Sequence, residues 1–408
     1  MRALALALLL VIPRDSLVPG PEGSADAKRP SGHVQTAVPR GDEPYRQASP
    51  EPLEFRGAGR EEPEPDVDEV VLGWFGPGDP DHPEFGDYWR GALIALDQEN
   101  AAGGYRGKPF RLEPAWSESP WKAGVVDVAR LVHERGAWAV IGGVDGTTTH
   151  LAVQLALKSH FLLLSPGGTD VTADDANVSW LYSLAPSDEA IARALVAALA
   201  LPAGAGRFAI AAATDHDSHA TIVALRRALG RQGLSPAALV EIPADGAAAA
   251  GAIEQLLEPR PRQLVVIAPP RLGARVVAAA RAAGFSGHLI GGPGLARASF
   301  ARAAGSPAEG VQAPLLVRPS LDEVFLAASE ARWGERPDAA AALGADAVRL
   351  VAEAVRRAGL NRPRIRDAVR ALAPWSGASG TVRWDPRGRN EVLVALGRWR
   401  GGRLLPLE

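Results

Sequence analysis

The chain has 408 residues, a formal net charge of −3, 47% hydrophobic residues and no cysteine. That length exceeds one ordinary core and suits two domains of typical size. The near-balanced charge removes the electrostatic case for a nucleic-acid partner, and the missing cysteine excludes disulfides, thiolate zinc sites, a cysteine nucleophile and a lipidated cysteine.

The first residues read MRALALALLLVIPRDSLVPG. The apolar run Ala3–Ile12 is too short to span a bilayer, which takes roughly 20 residues, but it has the size of a signal-peptide core. SADA, Ser24–Ala27, offers a small-x-small cleavage pattern. Residues 1–27 are therefore expected to be a signal peptide, and the mature protein periplasmic or otherwise extracytoplasmic. Residues 28–67 are rich in Pro, Gly, Glu, Asp and Arg and are expected to be a disordered leader or tether.

From Glu69 onward, strands and helices alternate. VVLGWF is read as a strand, EFGDYWRGALIALDQENAAGG as a helix with a Gly-Gly stop, PFRLEPAW as a strand and WKAGVVDVARLVHERG as a helix. AWAVIGG, then TTTHLAVQLALKSH, then FLLLSP continue as strand, helix, strand. After Ser187 the rhythm restarts with DEAIARALVAALA, RFAIAAAT, ATIVALRRALGRQG and ALVEIP. It runs on through AAAAGAIEQLLE, QLVVIAPP, GARVVAAARAAG and GHLIGG. Short unalternated apolar strands between helices predict parallel sheets covered on both faces. The fold class is α/β, in two doubly wound lobes. The last part adds helices over LDEVFLAASEARWG, AAALGADAVRLVAEAVRRAG and RIRDAVRAL, then two β-type runs around the turn DPRGRN.

In such sheets ligands gather at the carboxyl ends of the strands. In IGGVDGTTTH, Gly142, Gly143 and Gly146 permit a tight turn, and Thr147, Thr148 and Thr149 open a helix. Free N–H groups and the helix dipole there favour an anion, a carboxylate rather than a phosphate, because the P-loop's Gly-Lys-Ser/Thr ending is missing. A plain N-cap is the alternative. In LLSPGGTDVT, Gly167 and Gly168 allow close backbone approach and Thr169 adds a hydroxyl. ATDHDSH concentrates Asp215, His216, Asp217 and His219. It is expected to be a loop facing the cleft, and without a His-Glu-x-x-His pattern no metal site is assigned to it. Trp74, Phe75 and Phe85 could wall an apolar pocket. No Gly-x-Gly-x-x-Gly follows a strand and no Gly-x-Ser-x-Gly elbow occurs, so neither a dinucleotide cofactor nor serine-hydrolase chemistry is expected.

These segments together resemble the type I periplasmic binding proteins, and within them the leucine/isoleucine/valine-binding proteins of ABC transporters. EFGDYWRGALIALDQENAAGGYRGKPFRL looks like that family's first helix, Asn-x-x-Gly-Gly turn and second strand. AWAVIGGVDGTTTHLAVQLALKSHFLLLSPGGTDVT keeps its spacing, and AEGV (308–311) and GTVRWDPRGRNE match its late segments. The resemblance implies two lobes joined by a multi-strand hinge, residues 68–187 plus 314–388 and residues 188–313 plus 389–408. It implies a monomeric solute-binding protein, not an enzyme, that delivers an amino acid or related carboxylate to an ABC permease. A ligand-sensing domain of the same fold, without transport, is the alternative. The ligand's carboxylate and ammonium would meet Gly146, Thr147, Thr148, Gly167, Gly168 and Thr169, beside Phe85. The second lobe departs from the family: Gly294 stands where an acid is expected, Pro269 and Pro270 where an aromatic is expected, and DHDSH, with Asp217 and His219, where Tyr-Gly is usual. Asp145, Asp170 or Asp217 would then supply the missing negative charge.

Overall fold

The computed structural model describes residues 55, 57, 59–117, 120–175, 178–200, 207–243, 249–317 and 322–407. The expected signal peptide, residues 1–27, and most of the expected tether lie outside them. The first lobe opens with β1 (Val70–Phe75), α1 (Gly86–Ala101), β2 (Phe110–Ala115), α2 (Pro120–His133) and β3 (Ala139–Gly142). It continues with α3 (Gly146–Ser159), β4 (Leu162–Ser165), α4 (Thr172–Asp175) and β5 (Leu181–Ser183). The strands form one parallel sheet in the order β2-β1-β3-β4-β5, with Trp74 opposite Ile141 and Ile141 opposite Leu164. Every residue of β1, β3, β4 and β5 is buried, which is why these strands read as continuous apolar runs.

The second lobe repeats the plan with α5 (Asp188–Ala200), β6 (Phe208–Ala213), α6 (His216–Arg231), β7 (Ala238–Ile242), α7 (Ala249–Leu257) and β8 (Gln263–Ile267). Then come α8 (Pro270–Ala282), β9 (His288–Gly291), α9 (Ala298–Ala304) and β10 (Gln312–Leu315). The chain next returns to cover the first lobe with α10 (Glu323–Trp333), α11 (Ala339–Ala358) and α12 (Arg362–Leu372), and a small hairpin follows, β11 (Trp375–Gly377) with β12 (Gly380–Val382). Then β13 (Ala395–Arg400) pairs antiparallel with β10 and β14 (Arg403–Pro406) antiparallel with β13, extending the second sheet. That sheet runs β14-β13-β10-β9-β8-β6-β7.

Helix α11 lies on α1 at close range because both carry a glycine at the crossing. A Cβ at Gly91 would stand 1.8 Å from the Ala341 carbonyl oxygen, and one at Gly344 would stand 2.1 Å from that of Tyr88. No larger residue fits without separating the helices. This contact fixes where Phe85 and Tyr88, at the start of α1, face.

Several local expectations change. ATDHDSH is not a free loop: α6 starts at His216, capped by Asp215, whose side chain accepts the Ser218 N–H at 3.0 Å. The terminal hairpin is β13–β14, turning at Gly401-Gly402, while GTVRW instead pairs with Trp375–Gly377. Across DPRGRN only a single bridge, Trp384 to Asn390, remains. Strand β5 and helices α4 and α9 add to the expected elements; at three to seven residues they carry too little periodicity to stand out in the sequence. The last residues of the expected tether are fastened to the first lobe. Glu64 accepts from the Tyr105 hydroxyl, from Arg106 at 3.0 Å and from the Leu360 N–H at 3.2 Å, and Phe55 packs 5.0 Å from the Trp180 ring. Among the described residues no helix is long and apolar enough to cross a membrane.

Candidate ligand cleft

Each lobe has a topological switch point, where two strands lead their connections in opposite directions and a crevice opens at their carboxyl ends. In the first sheet it lies between β1 and β3, and in the second between β6 and β8. The two crevices face each other. Between them lies a cavity of about 230 Å³. The first lobe lines it with Glu84, Phe85, Tyr88, Val144, Asp145, Thr147, Gly167 and Thr169. The second lobe contributes Asp215, His216, Asp217, Ser218, Thr221, Ile267 to Pro270, Pro293, Gly294 and Arg297, and Leu316 completes the lining.

Helix α3 is capped from within. Asp145 accepts the Thr148 N–H at 2.8 Å and the Thr148 hydroxyl at 2.5 Å, a reciprocal capping box. The Thr149 hydroxyl donates to the Asp145 carbonyl at 2.6 Å and meets Ser165 Oγ at 3.1 Å. Ser165 in turn donates to the Gly143 carbonyl and accepts the Gly168 N–H. These hydroxyls knit β3 and β4 together behind the cavity wall. Only Thr147 of the three threonines lines the cavity.

The Ser-Pro loop is held from far along the chain. Arg389, buried, donates to the Gly168, Ala185 and Asp170 carbonyls at 2.8, 3.2 and 3.1 Å and pairs with the buried Asp174. Burial pushes the Asp174 carboxyl up while the Arg389 charge pulls it down. Thr169 lines the cavity, yet its hydroxyl is spent on Asp188 at 2.9 Å, which also accepts from Thr221 at 2.8 Å. Burial pushes the Asp188 carboxyl up to about 6.

The second lobe reaches across. Asp217 Oδ1 accepts the Gly146 N–H at 2.6 Å. Burial, and then the charge of Asp145, raise the Asp217 carboxyl well above the ordinary range. His216 meets Asp170 Oδ2 at 2.8 Å, where His150 also arrives at 2.9 Å. These three side chains hold their ligand-type atoms within 4.8 Å of one another. Further along the cleft, Arg302 grips Asp87 with two bonds of 2.8 Å, and Asp338 accepts the Ala298 N–H at 2.9 Å.

Arg297 has a different status. It is 7% exposed, and its guanidinium lies over the rings of Phe85 and Tyr88, at 5.3 and 5.0 Å. Its buried Nε and Nη2 have no hydrogen-bond partner among the described residues, and it lines the cavity. A buried guanidinium keeps its charge, so unpaired donors there are costly unless something else supplies the acceptor. Burial raises the neighbouring Glu84 carboxyl, which the Arg297 charge partly offsets. The Tyr88 hydroxyl is pushed up to about 12, first by burial.

Of the residues expected to bind ligand, Phe85, Asp145, Thr147, Gly167, Thr169 and Asp217 line the cavity. Gly146 stands at its edge with its N–H already engaged. Thr148 and Gly168 sit behind the wall, and His219 is exposed and outside the lining; the histidine that faces the cavity is His216. Asp170, offered as a source of negative charge, is committed to two histidines. Sequence reasoning missed Arg297 and Arg389. Arg297 lies three residues beyond Gly294, the position at which the family resemblance implies an acid. No local signal marks Arg389.

The comparisons agree with this architecture. The periplasmic binding protein family model matches residues 78–403. An amino acid binding protein of Pseudomonas aeruginosa is 30% identical over 122 residues, which span 30% of this chain and 33% of that one. The branched-chain amino acid transporter substrate-binding protein LivJ of Streptococcus pneumoniae, solved with isoleucine, superposes with a TM-score of 0.73 at 20% identity, covering 82% of this chain and 97% of that one. A solute-binding protein of R. palustris, solved with benzoate, superposes equally well, with a TM-score of 0.73 at 18% identity over 83% and 95%. At those identities the likeness is one of fold. With the family model matching residues 78–403 and two α/β lobes lining a shared cavity, this chain belongs to the periplasmic binding protein family.

Proposed function

We propose that this chain is the extracytoplasmic solute-binding component of an ABC transporter, and that it captures an amino acid or a close relative between its lobes. The single observation that carries this reading is Arg297, a buried cation that lines the cavity with two donors unpaired among the described residues. A carboxylate is the group that satisfies such a fork, through two parallel charge-assisted hydrogen bonds. The wall also carries Glu84, Asp145, Asp215 and Asp217 against Arg297 and His216. That surplus of acid suits a ligand with a cation of its own, so a zwitterion fits better than a simple acid. Asp217 is the best placed to receive an ammonium, because Asp145 is tied into its helix cap. Phe85, Ile267, Pro269, Pro270 and Leu316 leave an apolar wall for a side chain.

Binding in this reading draws the lobes together about the hinge, and a membrane permease takes the ligand from the closed form. The N-terminal apolar run would direct export, and the family's membership of binding proteins supports a non-enzymatic role. The known names among the relatives, an amino acid binding protein and a transporter component, point the same way.

The test is a titration of the purified protein with amino acids, their amides and their des-amino acids, read by thermal shift and calorimetry. An amino acid is expected to raise the melting temperature by mass action. The matching amide and des-amino acid should each bind about tenfold or more weakly, as expected for losing a charged hydrogen bond. Arg297→Gln should remain folded and lose the preference for acid over amide. If the amides bind as tightly as the acids, the carboxylate reading is wrong.

A further inference from the structure

We infer that His150, Asp170 and His216 form a transition-metal site, of the kind that takes Zn²⁺, which bridges the two lobes beside the ligand cavity. The three residues come from separate segments: the second turn of α3, the loop after β4, and the first residue of α6 in the opposite lobe. His150 Nε2 and His216 Nε2 converge on one oxygen, Asp170 Oδ2, at 2.9 and 2.8 Å, and all three donor atoms lie within 4.8 Å. Two imidazoles and one carboxylate are a donor set suited to zinc, whose bonds to such atoms run to about 2.0–2.2 Å. Tetrahedral ligand atoms at those bond lengths stand about 3.3 Å apart, so modest side-chain rotation opens the present contacts around an ion.

The surroundings are those of a supported ligand set. Asp170 is 2% exposed, and its Oδ1 accepts the Thr172 N–H at 2.8 Å, which fixes the carboxylate plane. The Thr172 hydroxyl lies 2.9 Å from His150 Nε2 and from both Asp170 oxygens. Support of this kind orients metal-ligating carboxylates. The histidines keep 25% and 35% side-chain exposure, so an ion has a way in and room for a water as fourth ligand. Only the imidazole and carboxylate lone pairs bind the ion, so its entry expels the protons that now lie between these groups, and acid weakens it.

Because His216 belongs to one lobe and its two partners to the other, the complete set exists only when the lobes are together. Metal and closure are therefore linked, and whatever closes the cleft raises metal affinity. The site stands on its own whichever organic ligand the cavity takes.

Calorimetric titration of the full chain with Zn²⁺, without any organic solute, tests this directly. One equivalent is expected to bind, and Co²⁺ in its place should develop the visible ligand-field bands of a low-coordinate nitrogen–oxygen site. His150→Gln and His216→Gln, one in each lobe, should each weaken binding by about tenfold or more and abolish those bands, while His219→Gln, exposed and off the cluster, should leave both unchanged. Wild-type protein that takes up no stoichiometric Zn²⁺, or variants that bind it as wild type does, would overturn the assignment and leave the cluster as a hydrogen-bonded clasp.

Discussion

Asp217 Oδ1 accepts the backbone N–H of Gly146 at 2.6 Å, so a carboxylate from one lobe sits on the first turn of a helix in the other. The N-terminus of α3 is an anion site by virtue of its free donors and dipole. Here that site is filled by the protein itself. Burial and the nearby Asp145 charge raise the Asp217 carboxyl, so this contact is made at an electrostatic cost. In the binding mode proposed above, a ligand ammonium beside Asp217 would relieve that cost and tie ligand charge to closure.

The closeness of the contact makes Gly146 a sensitive position. A Cβ there would lie 2.5 Å from Asp217 Oδ1, 3.1 Å from Asp170 Cβ and 3.3 Å from His216 Cδ2. Its backbone is ordinary helix, and alanine is otherwise welcome there. Gly146→Ala is expected to keep a melting temperature close to wild type. Ligand affinity should drop roughly tenfold or more, since overpacking costs about 1–3 kcal/mol. Small-angle scattering of the ligand-bound variant should show a larger radius of gyration than wild type. Unchanged affinity and unchanged compaction would mean that the lobes do not meet at this point.

Acid should strengthen the fold before it weakens it. Burial pushes Asp188 and Asp338 up to about 6. A carboxyl raised on folding contributes stability that is fully present below its unfolded value, near 3.8, and is lost as pH rises through about 6. His216, raised by its bond to Asp170, acts in the same direction, losing its contribution as pH climbs through its folded value. Asp170 is held well below the ordinary range by its histidine hydrogen bonds, against the pull of burial, and opposes them only when pH falls under about 4. The melting temperature is therefore expected to be higher at pH 5 than at pH 7.5. Asp188→Asn, which keeps an acceptor for Thr169 and Thr221, should reduce that difference; a difference as large as wild type would assign the effect elsewhere.

Arg389 anchors the Ser-Pro loop through the Gly168 and Asp170 carbonyls, and ties it to the Ala185 carbonyl and the Asp174 carboxylate. Arg389→Met removes the cation and leaves the Asp174 carboxyl buried without its partner. Breaking one side of a buried ion pair costs about 3–5 kcal/mol, which denaturant unfolding should register. Asp174→Asn in that background should recover part of the loss, because the stranded charge is gone. A loss confined to the variant's ligand affinity, with stability intact, would mean that the loop keeps its shape without the pair.

The sequence alone makes the repeating α/β plan legible, because apolar runs, helical periodicity and glycine stops are local properties of a chain. From that plan it placed the two glycine loops at strand ends, and Phe85, Asp145, Thr147, Gly167, Thr169 and Asp217 do meet around one cavity. It also assigned ligand duties to hydroxyls that the folded chain uses otherwise: Thr148 in a helix cap, and Thr169 on Asp188. Which partner a polar group takes depends on what lies across from it, and those partners are far away in sequence. Asp217 is 71 residues from Gly146, His216 is 46 from Asp170, and Arg389 is 221 from Gly168. No spacing rule reaches that far. Tertiary packing is what buries Arg297 against two aromatic rings with its Nε and Nη2 unpaired among the described residues, because burial is a property of the assembled lobes and not of any segment.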